Sequence, residues 1–208
     1  MPLALGCLST ALATCVAAAL AWPASRSFQL EPERFTGERT GGGTRAWRTL
    51  EVVLARTLAL VLRAVPEVAW LLVLASFFTI GTLPGVLAMG LHSGGVLARV
   101  FVERVDAVPH RRLESGAIGG RFGAFLYGAL PASARDWATY ALFQLEINVR
   151  MGVVFGILGL GGLGDRFHSS LSRWYLSRAG TFLLAMVLLT VLIDRLARAY
   201  GGRTRLAE

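Results

Sequence analysis

Five apolar stretches, each near the length of a membrane-spanning helix, constrain the fold of this chain more than any other feature of its sequence. The hydrocarbon core of a bilayer is about 30 Å thick, so a helix needs about 20 mostly apolar residues to cross it. We therefore predict an all-α membrane protein whose single domain covers residues 1–208. The predicted transmembrane helices are 3–22, 64–80, 83–102, 137–160 and 180–196.

Composition and charge support a membrane protein. The chain is 54% hydrophobic and only 16% charged, whereas soluble domains carry about 25% charged residues. The formal net charge is +8 and all 21 basic residues are Arg. Most of these arginines lie between the apolar stretches and not in one basic block, which argues against a nucleic-acid partner.

The first apolar stretch could be a signal peptide or a transmembrane helix. A signal peptide begins with basic residues and has an apolar core of roughly 7–15 residues. Here the first basic residue is Arg26, and the stretch has the length of about 20 residues that a span needs. We predict a transmembrane helix. Cys7 and Cys15 lie within it and lack the spacing of a metal site.

The arginines also predict an orientation, because short cytoplasmic loops are enriched in Lys and Arg. Arginines are frequent in the segments Ser25–Ala64 and Glu103–Pro131 and in the C-terminal tail. These regions are predicted to be cytoplasmic, which places the N-terminus outside.

The fourth stretch carries a carboxylate, an amide and a guanidinium within five residues of an apolar run: Glu146, Asn148 and Arg150. Ionisable groups at membrane depth are costly and usually face a bundle interior or a wet pathway. Glu146 and Arg150 are four residues apart and share a helix face. Either they neutralise each other at a helix contact, or Arg150 meets an anionic solute while Glu146 holds it in place. Asn148 is on another side, where it can hydrogen-bond to neighbouring helices.

Two further polar residues allow two interpretations each. Glu67 follows Pro66 in the first turn of the second predicted span, where a carboxylate favours a helix N-terminus. It could cap that helix or line a pathway. His92 stands beside Ser93 and two glycines, small residues that let helices approach closely, so it could be a packing residue or a titrating one.

Glycines follow the polar cluster every few residues. They are Gly156, Gly159, Gly161, Gly162 and Gly164. This spacing predicts a close backbone approach or a sharp bend, and not a helix that simply continues.

Four fragments of the chain resemble the permease subunits of phosphonate-type ABC importers. They are EINVRMGVVFGILGLGGLG at 146–164, RAVPEVAW at 63–70, LHSGGVL at 91–97 and YGALP at 127–131. The resemblance implies the type I importer permease fold of the methionine importer, with five transmembrane helices and a cytoplasmic coupling helix within 104–131. It implies import of a phosphonate or a related phosphorus oxyanion. The candidate pathway residues are then Glu67, His92, Glu146, Asn148 and Arg150.

The same resemblance implies partners and a location. The expected partners are ABC ATPase subunits, a periplasmic or lipid-anchored binding protein, and a second permease subunit in a homodimer or heterodimer. The expected location is the bacterial inner membrane. A chain without Lys cannot contain the Gly-rich phosphate loop that ends in Lys, so we expect no ATP hydrolysis by this chain. We expect no other enzymatic activity either, because the sequence offers no nucleophile–base pair or acid pair in a plausible pocket. No cofactor or metal is expected.

The coupling segment departs from the pattern of such permeases, which has a Glu-Ala pair, a Gly six residues later and a Leu-Pro further on. Counting back from Leu130 and Pro131 places Arg112 at the Glu position and Ile118 at the Gly position. The alternative register uses Glu114 and Gly120 and requires a two-residue deletion.

The coupling segment is also rich in glycine, at Gly116, Gly119, Gly120 and Gly123. Each glycine weakens a helix by about 0.5–1 kcal/mol relative to Ala. Two alternatives therefore stay open beside phosphonate import: a permease for another small solute, and a non-transporting partner in a heteromeric permease.

The predicted topology can be tested with reporter fusions. Five spans with a cytoplasmic C-terminus place a reporter fused after Arg205 on the opposite side of the membrane from one inserted within Asp165–Arg178. Paired alkaline phosphatase and green fluorescent protein fusions measure this directly. Reports from the same side would overturn the topology.

Overall fold

The computed structural model describes residues 1–33, 41–79, 81–109, 111–113 and 120–205. Within these ranges every regular element is a helix. The α-helices are α1 (Pro2–Ala24), α2 (Arg26–Leu30), α3 (Gly42–Ala64), α4 (Glu67–Phe77), α5 (Thr82–Asp106), α6 (Gly120–Gly123), α7 (Leu130–Phe155), α8 (Leu163–Ser172) and α9 (Leu176–Arg205). Two π-helical turns lie at Ala124–Ala129 and Gly156–Leu160.

Among the described residues, four helical segments are long and apolar enough to cross a membrane. They are Pro2–Leu30, Thr82–Asp106, Gly120–Leu160 and Leu176–Arg195. The first, third, fourth and fifth predicted spans each fall on one of these segments. The outer side chains of α9 agree with this assignment, since Leu184, Leu188 and Leu192 recur every four residues and are 57–68% exposed. An apolar face of this kind suits contact with lipid.

The second predicted span, 64–80, is not one straight helix. The chain breaks after Ala64, where α3 ends, and α4 begins at Glu67. Pro66 explains the break, because it has no N–H to donate and disfavours a helical conformation at the residue before it. With 11 residues, α4 is about 16 Å long, about half the thickness of the hydrocarbon core. A fifth crossing therefore requires α3 and α4 together, and Ile80 lies outside the described residues.

The chain divides into two compact units. Unit 1 comprises Met1–Ala13, Val65–Ser93 and Ala141–Glu208, and unit 2 comprises Thr14–Ala64 and Gly94–Tyr140. Each has its own apolar core. Unit 1 buries Leu5, Leu71, Ala88, Met89, Phe155 and Leu160 together, whereas unit 2 buries Ala24, Ala55 and Val102 against Leu20.

The glycine run after α7 forms the bend that its spacing predicts. Gly159, inside the π-helical turn, has φ +97°, a conformation that only glycine adopts readily. Farther along, a Cβ at Gly164 would overlap the carbonyl oxygen of Val153 and lie 2.8 Å from the nitrogen of Ile157. The start of α8 therefore packs backbone to backbone against the end of α7.

Candidate functional site

Asn148 lies at the centre of a buried hydrogen-bond network within unit 1. Its Nδ2 donates to Thr10 Oγ1 at 2.9 Å, and its Oδ1 accepts from Ser93 Oγ at 2.8 Å. Gln144 Nε2 donates both to the same Oδ1, at 3.1 Å, and to Ser93 Oγ, at 3.0 Å. Asn148 is 1% exposed, and its amide connects α1, α5 and α7.

This network favours one of the two roles considered for Asn148. Its oxygen and its amide nitrogen both bond to other helices, and none of the four side chains is more than 8% exposed. The geometry therefore supports helix–helix packing and not contact with a solute. The sequence did not identify Thr10, Ser93 or Gln144 as its partners. Gln144 carried a usable signal, since it is a polar residue one turn before Asn148 in the same apolar run.

Glu146 and Arg150 form an ion pair on a more exposed face of α7. Arg150 Nη2 donates to Glu146 Oε1 at 2.6 Å. The side chain of Glu146 is 16% exposed and that of Arg150 is 55% exposed. The carboxylate is therefore mostly covered, while the guanidinium keeps open surface that another anion can approach.

Glu67 and His92 form a second pair within unit 1. His92 Nδ1 lies 2.8 Å from the carbonyl oxygen of Val65, and because a carbonyl only accepts, this nitrogen must carry a proton. His92 Nε2 lies 3.5 Å from Glu67 Oε1, and this contact becomes an ion pair when the ring carries its second proton. Both side chains are less than one-fifth exposed. The structure thus brings the charged pathway candidates together as two pairs.

The predicted coupling segment is only partly described, because Glu114 and Gly119 lie outside the described residues. Arg112 is exposed and Gly120 has φ +69°. The π-helical turn Ala124–Ala129 ends just before Leu130, which is half-buried, and Pro131, which is exposed. A Cβ at Gly128 would lie 2.8 Å from the carbonyl oxygen of Arg112. The backbone at Gly128 therefore packs against the backbone at Arg112.

Two phenylalanines of this segment pack against the same tryptophan within unit 2. The Phe122 and Phe125 rings lie 5.3 Å and 5.1 Å from the ring of Trp22, measured between centroids, and Phe125 also lies 5.6 Å from Phe28. Phe125 is buried, whereas Phe122 and Tyr127 are 57% and 73% exposed. Phe125 thus anchors the segment inside unit 2, while Phe122 and Tyr127 keep part of their surface exposed.

Arg121 also ties the segment to α2. It donates to Gln29 Oε1 at 2.9 Å and to the carbonyl oxygen of Phe28 at 3.3 Å. Nearby in unit 2, Asp106 at the end of α5 accepts from Ser27 N at 3.2 Å and from Arg56 Nη2 at 3.1 Å. The start of α2, the end of α5 and α3 therefore share one carboxylate.

Residues 53–206 match the family described as "Binding-protein-dependent transport system inner membrane component". The chain belongs to this family.

Two curated relatives are about equally similar to the chain. It is 32% identical over 170 residues to the phosphate-import permease protein PhnE of Mycolicibacterium smegmatis. This alignment covers 74% of this chain and 32% of the relative. It is 31% identical over 154 residues to the phosphite transport system permease protein PtxC of Stutzerimonas stutzeri, which covers 73% of this chain and 54% of the relative. The chain thus spans about a third to a half of these two relatives.

A solved structure of the MetNI methionine ABC transporter in inward-facing conformations superposes with a TM-score of 0.69. The sequence identity is 19%, and the match covers 96% of this chain and 92% of that one. At this identity the likeness establishes the fold. The predicted fold class, a type I ABC importer permease similar to the methionine importer, is confirmed.

Replacing Asn148 with Ala should destabilise the protein. The change leaves Thr10, Ser93 and Gln144 short of a buried partner, which costs about 1–3 kcal/mol. A lowered thermal unfolding midpoint in detergent is the expected result. Thr139→Ala on the same helix is a suitable control, since the hydrogen bond of Thr139 lies within α7, to the carbonyl oxygen of Arg135. Equal midpoints for the two variants would show that the network contributes little.

Proposed function

We propose that this chain is the transmembrane permease subunit of an ATP-binding-cassette importer for a phosphonate or a related phosphorus oxyanion. The observation that carries the proposal is the similarity, at 31–32% identity, to two permeases named for phosphate and phosphite. Phosphonate, phosphite and phosphate share a tetrahedral phosphorus with charged oxygens. A site that accepts this group needs fixed positive charge and hydrogen-bond donors.

The proposed complex contains further subunits in the bacterial inner membrane. A binding protein delivers the solute from outside, two ATPase subunits dock on the cytoplasmic segment 104–131, and a second permease subunit completes the pathway. The family description itself names a binding protein. The exposed Phe122 and Tyr127 offer a contact surface on the coupling segment.

Arg150 is the proposed contact for the oxyanion. A guanidinium presents several donors in a planar fork that matches phosphorus oxyanions, and the Arg150 side chain is 55% exposed. An anion that crosses a low-dielectric bundle loses hydration, and a fixed cation offsets part of that cost. Glu146 holds the guanidinium at 2.6 Å and keeps the cation tolerable when no solute is present.

Glu67 and His92 are proposed as a second pair of polar side chains that lines the pathway. The ring of His92 is fixed on one side by the carbonyl oxygen of Val65 and on the other by Glu67. Held in this way, His92 and Glu67 present polar groups of fixed orientation. Asn148 supports the pathway indirectly, by holding α7 against α1 and α5.

The altered coupling motif favours a second candidate, a non-transporting partner in a heteromeric permease. Arg112 occupies the position where such permeases carry Glu, which reverses the charge offered to an ATPase. The two candidates differ in whether segment 104–131 contacts the ATPase.

Crosslinking separates the two candidates. Gly120 is a poor position for an engineered cysteine because of its φ of +69°, whereas Tyr127 is 73% exposed. In a chain whose Cys7 and Cys15 are replaced by Ser, Tyr127→Cys should crosslink to the ATPase subunit if this is the coupling contact. Ser172→Cys, exposed at the end of α8 and predicted to lie on the other side of the membrane, serves as the control and should not crosslink. The absence of a crosslink from position 127 in a complex that retains the ATPase subunit would favour the accessory subunit.

The pathway role of Arg150 predicts a separation of uptake from assembly. Arg150→Gln should reduce uptake of methylphosphonate by the reconstituted complex while largely preserving complex yield, because Gln keeps hydrogen bonding and approximate length. Parallel uptake of phosphite and phosphate identifies the preferred solute.

A packing role for the pair predicts the opposite pattern. Arg150→Gln would then leave the mostly buried carboxylate of Glu146 unpaired, at a cost of about 3–5 kcal/mol, and the complex would assemble poorly. The double variant with Glu146→Gln would restore both yield and uptake. Full uptake by a well-assembled Arg150→Gln protein would exclude the pathway role.

A further inference from the structure

A cleft of about 300 Å³ lies between α3 and α5, entirely within unit 2. Its polar side is lined by three arginines and one carboxylate: Arg56, Arg63, Arg99 and Glu103. Its apolar side includes Leu60 and Val102. A cleft of this size is at the lower end of the range of pockets that hold small ligands.

The three arginines differ in how far their charge is already balanced. Arg56 is bonded to Asp106 at 3.1 Å and to the carbonyl oxygen of Ala24 at 2.9 Å. Arg99 is paired with Glu103 at 2.8 Å, but both side chains are 60% exposed. Arg63 makes no side-chain hydrogen bond or ion pair within the described ranges of the chain. The cleft therefore carries a net positive charge that is concentrated at Arg63.

The position of the cleft along α5 indicates what kind of anion it meets. Arg99, Val102 and Glu103 belong to the last third of a 25-residue apolar helix that is long enough to span a membrane. The end of such a helix lies where hydrocarbon gives way to lipid headgroups. On α3, Leu60 lines the cleft and Val61 follows it, and these side chains are 50% and 48% exposed. Guanidinium groups thus stand above apolar surface at headgroup level.

We propose that this cleft binds the phosphate of an anionic phospholipid, with Arg63 and Arg99 contacting the headgroup and the tops of the acyl chains lying on Leu60 and Val102. Basic pockets between helices at the membrane surface suit such headgroups. A free oxyanion would use the same guanidinium groups, but the apolar side chains of the cleft would not stabilise it. The net positive charge selects an anionic headgroup over a zwitterionic one.

Native mass spectrometry of the purified full-length chain, with any subunits that copurify, tests the proposal. Dioleoylphosphatidylglycerol and dioleoylphosphatidylcholine are the probes. The wild-type protein should bind the anionic lipid more tightly, and Arg63→Gln should weaken that binding about fivefold, the effect of one basic residue near a membrane surface. Arg63→Lys should retain most of the affinity, and Arg173→Gln, an exposed arginine outside unit 2, should change nothing.

Arg99→Gln covers the case in which Arg63→Gln does not fold. Its side chain is 60% exposed and its ion-pair partner Glu103 is equally exposed, so the change is compatible with folding and should also weaken binding of the anionic lipid. Equal binding of the two lipids, or equal affinity in wild type and both Gln variants, would overturn the proposal. Binding of inorganic phosphate that displaces the lipid and depends on Arg63 would identify a free-oxyanion site instead.

Discussion

The hydrogen bonds of Asn148 are the interaction on which the packing of unit 1 most depends. Helices in a bilayer gain no hydrophobic energy by associating, so close packing and hydrogen bonds between them carry the association. Asn148 bonds to Thr10 on α1 and Ser93 on α5, and Gln144 closes the network from α7 itself. Three segments distant in sequence therefore converge on one buried amide, and their relative rotation is fixed by its geometry.

That anchoring determines what the other polar residues of α7 can do. Asn148 is two residues from both Glu146 and Arg150, and two residues correspond to about 200° around a helix. Once Asn148 points into the packed interior, Glu146 and Arg150 must lie on another side of α7. The structure agrees, since Asn148 is 1% exposed and the Arg150 side chain 55%. Packing and the proposed recognition of a solute thus use different faces of the same short segment.

Much of the fold was predictable, because membrane spans follow from the length and composition of apolar runs. The spacing of the glycines after α7 likewise predicted the bend there. The break at Pro66 was visible in the sequence, but a proline near the start of an apolar run is compatible with either a span or a broken helix. The partners of Asn148 were not predictable, since Thr10 and Ser93 are 138 and 55 residues away and nothing local identifies them. The pairing of Glu146 with Arg150 was predictable because it depends only on helical spacing.

In the coupling segment, the partners of the aromatic side chains could not be predicted from the local sequence. Phe122 and Phe125 both pack against Trp22, and Phe125 also packs against Phe28. The π-helical turn ends at Ala129, two residues before Pro131, which cannot donate a backbone hydrogen bond. With Arg121 bonded to Gln29 and Phe125 packed on Trp22, the described part of the segment is joined to α2 and to the end of α1 by both polar and apolar contacts. The described part of this segment, residues 120–131, would be weak as an isolated helix, and it is held by its neighbours in unit 2.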